Sequence, residues 1–424
     1  MPDMENTSSR DHGVESAYAW QRLAAAVLLM GLGTCGMYSV TVVLPLIQAE
    51  FGVSRADASL PYTATMVGFT IGGILMGRFS DRFGIMKPIM LGAVCLAGGL
   101  ALASAATSLW MFVLIHGVVI GLLGTSTTFG PLVADISHWF TRRRGLAVAI
   151  CASGNYLGGA FWPPLMQVFF DAYGWRVAYL ISAALCLAIM VPLALVLRRR
   201  SPIGAVEHNA APAVPVSPLP LGLRPPVLQA LIVLAGISCC VAMSMPQVHI
   251  VAYCSDLGFA GQRGAEMLAL MLGAGIVSRM ASGWIADRIG ALRTLLLGSV
   301  LQAIALGLFL PFNGLASLYV VSAFFGLVQG GIVPMYALLV RDYFPASQAG
   351  ARVSLVLTAT VFGMAIGGWL TGAIFDWTGS YRAAFFLGIG WIVLNLAIAV
   401  FLLQRSSKAF RFPGAGQGWG ATKI

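Results

Sequence analysis

The stretch GRFSDRFG at residues 77–84 decides the fold, because it returns in altered form as GWIADRIG at residues 283–290. Asp81 and Asp287 stand 206 residues apart. FDAYGWR, with Asp171 and Gly174, returns as FDWTGSYR, with Asp376 and Gly379, at an offset of 205. Gly121 and Gly326 keep the same offset of 205. Three separate anchors at one spacing mark a duplicated unit about half the chain long. In a membrane chain, two such repeats predict a carrier with its site near mid-membrane between them.

The rest of the sequence identifies the solvent as lipid. Of 424 residues, 58% are hydrophobic and 9% charged, with a mean hydropathy of +0.86. Soluble chains carry about 25% charged residues. This chain cannot cover a water-facing surface, which excludes a large soluble catalytic domain, a nucleic-acid binder and a disulfide scaffold. The 50 glycines suit helices that approach closely. The seven cysteines fall in or beside apolar runs without metal-ligand spacing to histidine, as small packing residues do.

Apolar runs predict spans at 23–48, 60–80, 88–107, 109–138, 145–170, 176–197, 227–254, 264–286, 292–312, 315–340, 351–375 and 381–403. The expected fold is an all-α membrane protein: twelve transmembrane helices in two pseudo-symmetric six-helix bundles. The organisation follows as a tail (1–22), a first bundle (23–197), a linker (198–226), a second bundle (227–403) and a tail (404–424). The linker holds seven prolines and few bulky apolar residues, so it reads as a flexible connection. With both termini inside, 20 of the 25 Lys and Arg fall on the cytoplasmic side. This bias accounts for the net charge of +10 without nucleic acid. The first apolar run lacks a basic start and reads as a retained helix. Short external loops suggest a bacterial inner membrane.

These motifs resemble the major facilitator superfamily over residues 20–405. Its loop pattern G-x-x-x-D-R-x-G appears as Gly77, Asp81, Arg82, Gly84 and again as Gly283, Asp287, Arg288, Gly290. The resemblance implies that Asp81 and Asp287 latch the outward-open state, with partners expected among Arg142, Arg143 and Arg144 and at Arg341 or Arg352. VHIVAYCSDLGF (248–259), GIVSRMASGWIADRIG (275–290), WFTRRRGLAVAI (139–150) and GLVQGGIVPMYALLVRDYF (326–344) resemble the monocarboxylate porter and oxalate/formate antiporter branch. That implies transport of small carboxylates.

The spans hold almost no charge. Arg279 is the exception, about 12 Å from the cytoplasmic end of its predicted helix. A cation at such depth costs about 2.5–3.5 kcal/mol or more unless it faces a wet cavity or an anion. Its planar guanidinium suits a carboxylate. Gly275, Ser282 and Gly283 share its helical face and are expected to leave room for a ligand. In the resembling family an Arg here binds the substrate carboxylate. Animal members carry an Asp four residues earlier for proton coupling, where this chain has Gly275. The antiporters carry a Lys in helix 11, which has none here. One internal cation favours a monocarboxylate and leaves proton symport and anion exchange both open.

Polar residues expected to complete the pocket are Tyr38, Thr127, Asn155, Gln329 and Tyr336, though each residue type also serves as a plain interhelical hydrogen-bonder. His249 is a candidate proton carrier or gate residue, with His116 weaker. No cofactor, metal or catalytic residue is expected. The partners expected are a small carboxylate, protons and the lipid bilayer, without nucleic acid, for a carrier working as a monomer. The competing readings are an exporter of hydrophobic compounds and a non-transporting receptor on the same fold.

Overall fold

A computed structural model describes residues 15–199 and 220–411. Acidic residues 3, 5 and 11 of the first tail, Pro202, Pro212, Pro215 and Pro218 of the expected linker, and residues 412–424 lie outside the described residues.

Among the described residues, eleven helices are long and apolar enough to cross a membrane, and no strand occurs. One of them, Arg144–Val196, breaks at Gly174, whose φ of 76° and ψ of 158° are not helical. It is therefore two spans. In chain order we label them α1 (Ala17–Phe51), α2 (Arg55–Phe83), α3 (Met86–Ser104), α4 (Leu109–Ser137), α5 (144–173) and α6 (175–196). The second bundle is α7 (Pro225–Asp256), α8 (Gly261–Ile289), α9 (Ala291–Leu308), α10 (Leu315–Tyr343), α11 (Ala346–Thr378) and α12 (Tyr381–Arg411).

Local chemistry sets the boundaries. The hydroxyls of Ser16, Ser54 and Ser108 accept from backbone N–H groups three residues on, capping α1, α2 and α4. Pro225 and Pro226 open α7, where a missing N–H costs nothing. Gly84 ends α2 at φ 81° and Gly290 ends α8 at φ 87°, a backbone conformation that only glycine adopts without strain. The duplication seen in the sequence is thus a duplication of turn geometry.

It extends to helix breaks. α4 passes through a π-helical stretch, Ile115–Gly124, into a 3₁₀ turn, Thr125–Thr128. α10 breaks at Gly330–Gly331 between Leu315–Gln329 and Ile332–Tyr343. Thr125 and Gly330 are again 205 residues apart.

Helix α1 starts six residues before the predicted run, which brings Arg22 out of the expected tail and into the bundle. Arg22 is fully buried and paired with Asp135 of α4 through Nε and Nη2, both at 2.8 Å. Nη1 donates to the carbonyl of Arg199 at 3.0 Å.

We call the end of the molecule bearing Gly84 and Gly290 the motif end, and the opposite end the far end. Trp110, Tyr173 and Trp377 stand exposed at the far end, as aromatic residues do at a membrane boundary.

Candidate functional site

The two bundles meet along two seams, α2 against α11 and α5 against α8. Both are closed toward the far end. On the first, the carboxylate of Asp376 in α11 accepts the N–H of Arg55 at 2.8 Å and of Ala56 at 2.7 Å. These are the first two residues of α2, so an acid of one bundle sits at the positive end of a helix of the other. Arg55 is nearly buried. It donates to the Tyr381 hydroxyl at 2.7 Å and to Asp256 at 3.1 Å, and its guanidinium lies 4.7 Å from the Phe375 ring centre. Farther in, Gly372 packs on Ala56, Gly368 packs on Tyr62, and Thr63 donates to the Ala365 carbonyl. Beyond that point the helices part around an apolar groove of about 300 Å³, lined by Val67, Thr70, Ile71, Leu355, Ala359 and Phe362 among others.

The second seam runs through Gly159 against Leu272, Tyr156 against Gly275, and Ala152 against Arg279. Past Arg279, a Cβ built on Gly145 or Gly283 would meet nothing within 4 Å. The bundles therefore close at the far end and splay at the motif end.

Asp81 and Asp287 are exposed at that splayed end and make no ion pair among the described residues. Arg82 lies over Phe83 and Arg288 over Trp284, at 5.4 and 3.5 Å from the ring centres. Two of the expected partners are engaged elsewhere: Arg144 donates to Ser137, and Arg352 to Gln348 and Gln229. In this conformer neither motif latch is made.

Arg279 lies between the bundles, about ten residues or 15 Å from the end of α8 at 1.5 Å per residue. Its Nη1 donates to the Ala152 carbonyl at 3.1 Å and its Nε to the Gly330 carbonyl at 3.4 Å. The Tyr156 ring covers it at 4.5 Å from the centroid. No carboxylate lies within ion-pair distance of it among the described residues. The break in α10 supplies the freed Gly330 carbonyl, and Ser278 of α8 accepts the N–H of Gly331 at 3.2 Å. Irregular backbone is tolerated in a membrane where protein or a cavity satisfies it.

Several expected residues gather here. The Tyr38 hydroxyl donates to Asn155 Oδ1 at 3.3 Å, and its ring rests on Gly159. Gln329, next to Gly330, accepts from Gln247 at 2.7 Å, and its own amide nitrogen is buried without a partner among the described residues.

Others are placed apart. Thr127 is buried against Gly92 of α3, its hydroxyl turned back to the Gly124 carbonyl. Tyr336 lies inside the second bundle, with its hydroxyl shared between Asn395 Oδ1 and the Ala235 carbonyl. His249 is buried with Nε2 2.7 Å from the Gly368 carbonyl and Nδ1 3.4 Å from the Tyr381 hydroxyl. It belongs to the far-end seal rather than to the shell of Arg279. His116 packs against Phe112 with neither ring nitrogen bonded among the described residues.

The expected free space beside Arg279 is mostly filled. Tyr156 occupies the face of Gly275, and Ser282 packs on Gly331; only Gly283 is open. Gly68 and Gly72 of α2 pack on α4 within their own bundle, whereas Gly368 and Gly372 of α11 do face α2. Sequence reasoning missed Tyr156, Gln247, Arg55 and Asp376 as functional residues. The repeated FD-x-x-G segment was visible, but nothing in it showed that one copy would reach another helix start.

A family model described as Major Facilitator Superfamily matches residues 26–312 and 255–421. Monocarboxylate transporter 13 of Rattus norvegicus is 28% identical over 81% of this chain and 78% of its own length. Monocarboxylate transporter 11 of Mus musculus is 27% identical over 89% and 86%. The fold also matches a crystal structure of the nucleoside transporter NupG, at a TM-score of 0.72 and 14% identity over 91% of this chain and 99% of that one. A bacterial homologue of the human lysosomal transporter Spinster matches with a TM-score of 0.70 at 15% identity, over 94% and 100%. With twelve spans in two repeats and this match along nearly its whole length, the chain belongs to the Major Facilitator Superfamily and is a multi-pass membrane transporter, not an enzyme.

Proposed function

We propose that the protein carries a small organic monocarboxylate by alternating access, with Arg279 holding the carboxylate. One observation carries this reading: a guanidinium lies deep between the bundles, bound only by carbonyls and a ring, with no acid in reach among the described residues. A carboxylate supplies the missing charge through paired hydrogen bonds. Gln329, next in the chain to Gly330, carries a buried amide nitrogen without a partner among the described residues. The similarity to monocarboxylate transporters supports the same substrate class.

The motif end faces the cytoplasm in this reading, as the placement of basic residues favours. The described conformer is then inward-facing, and the unmade Asp81 and Asp287 latches belong to the outward-open state. The segments before α1, between α6 and α7 and after α12 lie on the cytoplasmic side in this reading, in a bacterial inner membrane, and the monomer is the working unit. Coupling is by proton symport or anion exchange.

The test is uptake into proteoliposomes of labelled lactate, pyruvate, a branched-chain acid, an aromatic acid and oxalate, with and without a pH gradient. Saturable uptake of a monocarboxylate is expected, stimulated by a proton gradient or by internal anion. Arg279→Lys keeps the charge but loses the fork and is expected to impair uptake strongly. Wild-type kinetics in that variant remove Arg279 from the mechanism. Transport of neutral or cationic compounds alone would favour an exporter.

A further inference from the structure

We propose that Tyr156 is a positioning residue for anion binding, presenting Arg279 across the seam between the bundles. The inference rests on the reading of Arg279 as the carboxylate-binding group.

A guanidinium has two faces and a hydrogen-bonding rim. On a long flexible stem it binds well only if the plane is held in advance. Here three contacts hold it. The Gly330 carbonyl takes Nε from within the same bundle, and the Ala152 carbonyl takes Nη1 from the opposite one. The Tyr156 ring, one turn after Ala152 on α5, covers a face at 4.5 Å from its centroid. Nη2 has no hydrogen bond among the described residues, so part of the rim remains for an incoming anion. An aromatic face stabilises the cation without neutralising it and without competing for its N–H groups. A carboxylate in the same place would do both.

The ring occupies that place only because residue 275 is glycine. A Cβ on Gly275 would lie 2.5 Å from Tyr156 Cε1 and 2.7 Å from Cδ1, and the three nearest atoms it would meet all belong to Tyr156. The small residue one turn before Arg279 therefore does not leave a ligand pocket. It seats the ring. Positions 156 and 275 lie in different bundles yet form one device, and their substitutions must be coupled.

The test is a double-mutant cycle read by transport kinetics. The probe is the labelled lactate, pyruvate, branched-chain or aromatic acid that the wild type carries fastest. Tyr156→Phe keeps the ring and is expected to keep KM. Tyr156→Leu is expected to raise KM about tenfold, between the exposed and the fully desolvated cases of a cation–π contact, with turnover changed far less. Gly275→Ala pushes the ring away and is expected to raise KM similarly. In the Tyr156→Leu background the same Gly275→Ala change should add less than about twofold.

An unchanged KM in Tyr156→Leu overturns the proposal, as does a loss in Tyr156→Phe equal to that in Tyr156→Leu. Fully additive effects overturn it as well. If Tyr156→Leu is not monodisperse after purification, Gly275→Ala decides: a raised KM supports the proposal and an unchanged one ends it. Wild-type kinetics in Arg279→Lys would sink the carboxylate reading itself. Impaired Arg279→Lys with an unaffected Tyr156→Leu sinks only the role of the tyrosine.

Discussion

Asp376 accepts the backbone N–H of Arg55, 321 residues earlier in the chain, at 2.8 Å. The acid lies near the end of α11 in one bundle and the amide begins a helix of the other, so the bond exists only while the far end is closed. It combines a helix-dipole contact with two charge-assisted hydrogen bonds. Asp376→Asn keeps the shape but removes the charge, and turns one acceptor into a donor facing an N–H. The seal is expected to weaken by about 1–2 kcal/mol. Distances between spin labels on the far ends of α2 and α11 should then show more of the open population. An unchanged distribution would mean that Asp376 does not hold the seal.

The Arg55 side chain makes a second, separable contribution. Its exposure is 8% whereas that of Asp256 is 34%. Arg55→Ala removes three contacts across the seam, to Tyr381, Asp256 and Phe375, whereas Asp256→Ala removes one and leaves Arg55 its contacts to Tyr381 and Phe375. Arg55→Ala is therefore expected to open the far end more than Asp256→Ala does, in the same spin-label measurement. An equal effect from both would make the ion pair itself the dominant contact.

Gly372 offers a steric test. A Cβ there would lie 2.8 Å from the Cα and N of Ala56, backbone atoms that cannot rotate away. Gly372→Ala should force α2 from α11 and favour the far-open state. Gly390→Ala in α12, exposed, outside both seams and with nothing within 4 Å, should leave the distribution unchanged. Closure undisturbed by Gly372→Ala would show that the helices are not packed this tightly.

Arg22 and Asp135 form a fold contact, not a gate, because both lie in one bundle. Exposures of 0% and 11% make it a buried pair. Removing one partner, as in Asp135→Asn, is expected to cost about 3–5 kcal/mol by leaving a buried charge. The combined Arg22→Met, Asp135→Leu variant should recover much of that loss in thermal unfolding in detergent. A milder single than double variant would contradict the argument.

Outside the membrane, Glu15 has a carboxyl held below its usual range, chiefly by the N–H of Arg143, which it accepts at 2.8 Å. A depressed folded pKa means that this tether is fully present above the unfolded value and lost as pH falls through the folded one. The protection of the Arg143 amide, its exchange rate set against the intrinsic rate at the same pH, should fall on acidification. Glu15→Gln should show the faster rate at neutral pH, and equal rates in both proteins would exclude the tether.

Much of this was legible in the residues. The two G-x-x-x-D-R-x-G turns and the FD-x-x-G pair need positive-φ glycines at fixed offsets, so the repeat survives as chemistry in the chain. Arg279 stands out because a cation among apolar residues costs energy wherever it points. What α5 or α10 turns toward its neighbours was not legible. In a membrane, lipid and protein interior are both apolar, so the helical period does not separate a lining face from an outer one. Thr127 and Tyr336 read like Tyr38 and Gln329 for that reason, yet the first two turn into their own bundles. Asp376 meeting Arg55, and Tyr156 seated on Gly275, join helices remote in sequence through contacts whose partners no local pattern specifies. Composition, repeat and the lone cation determined a two-bundle membrane carrier; only the packing of one bundle on the other decided which end is sealed and which residues hold the guanidinium.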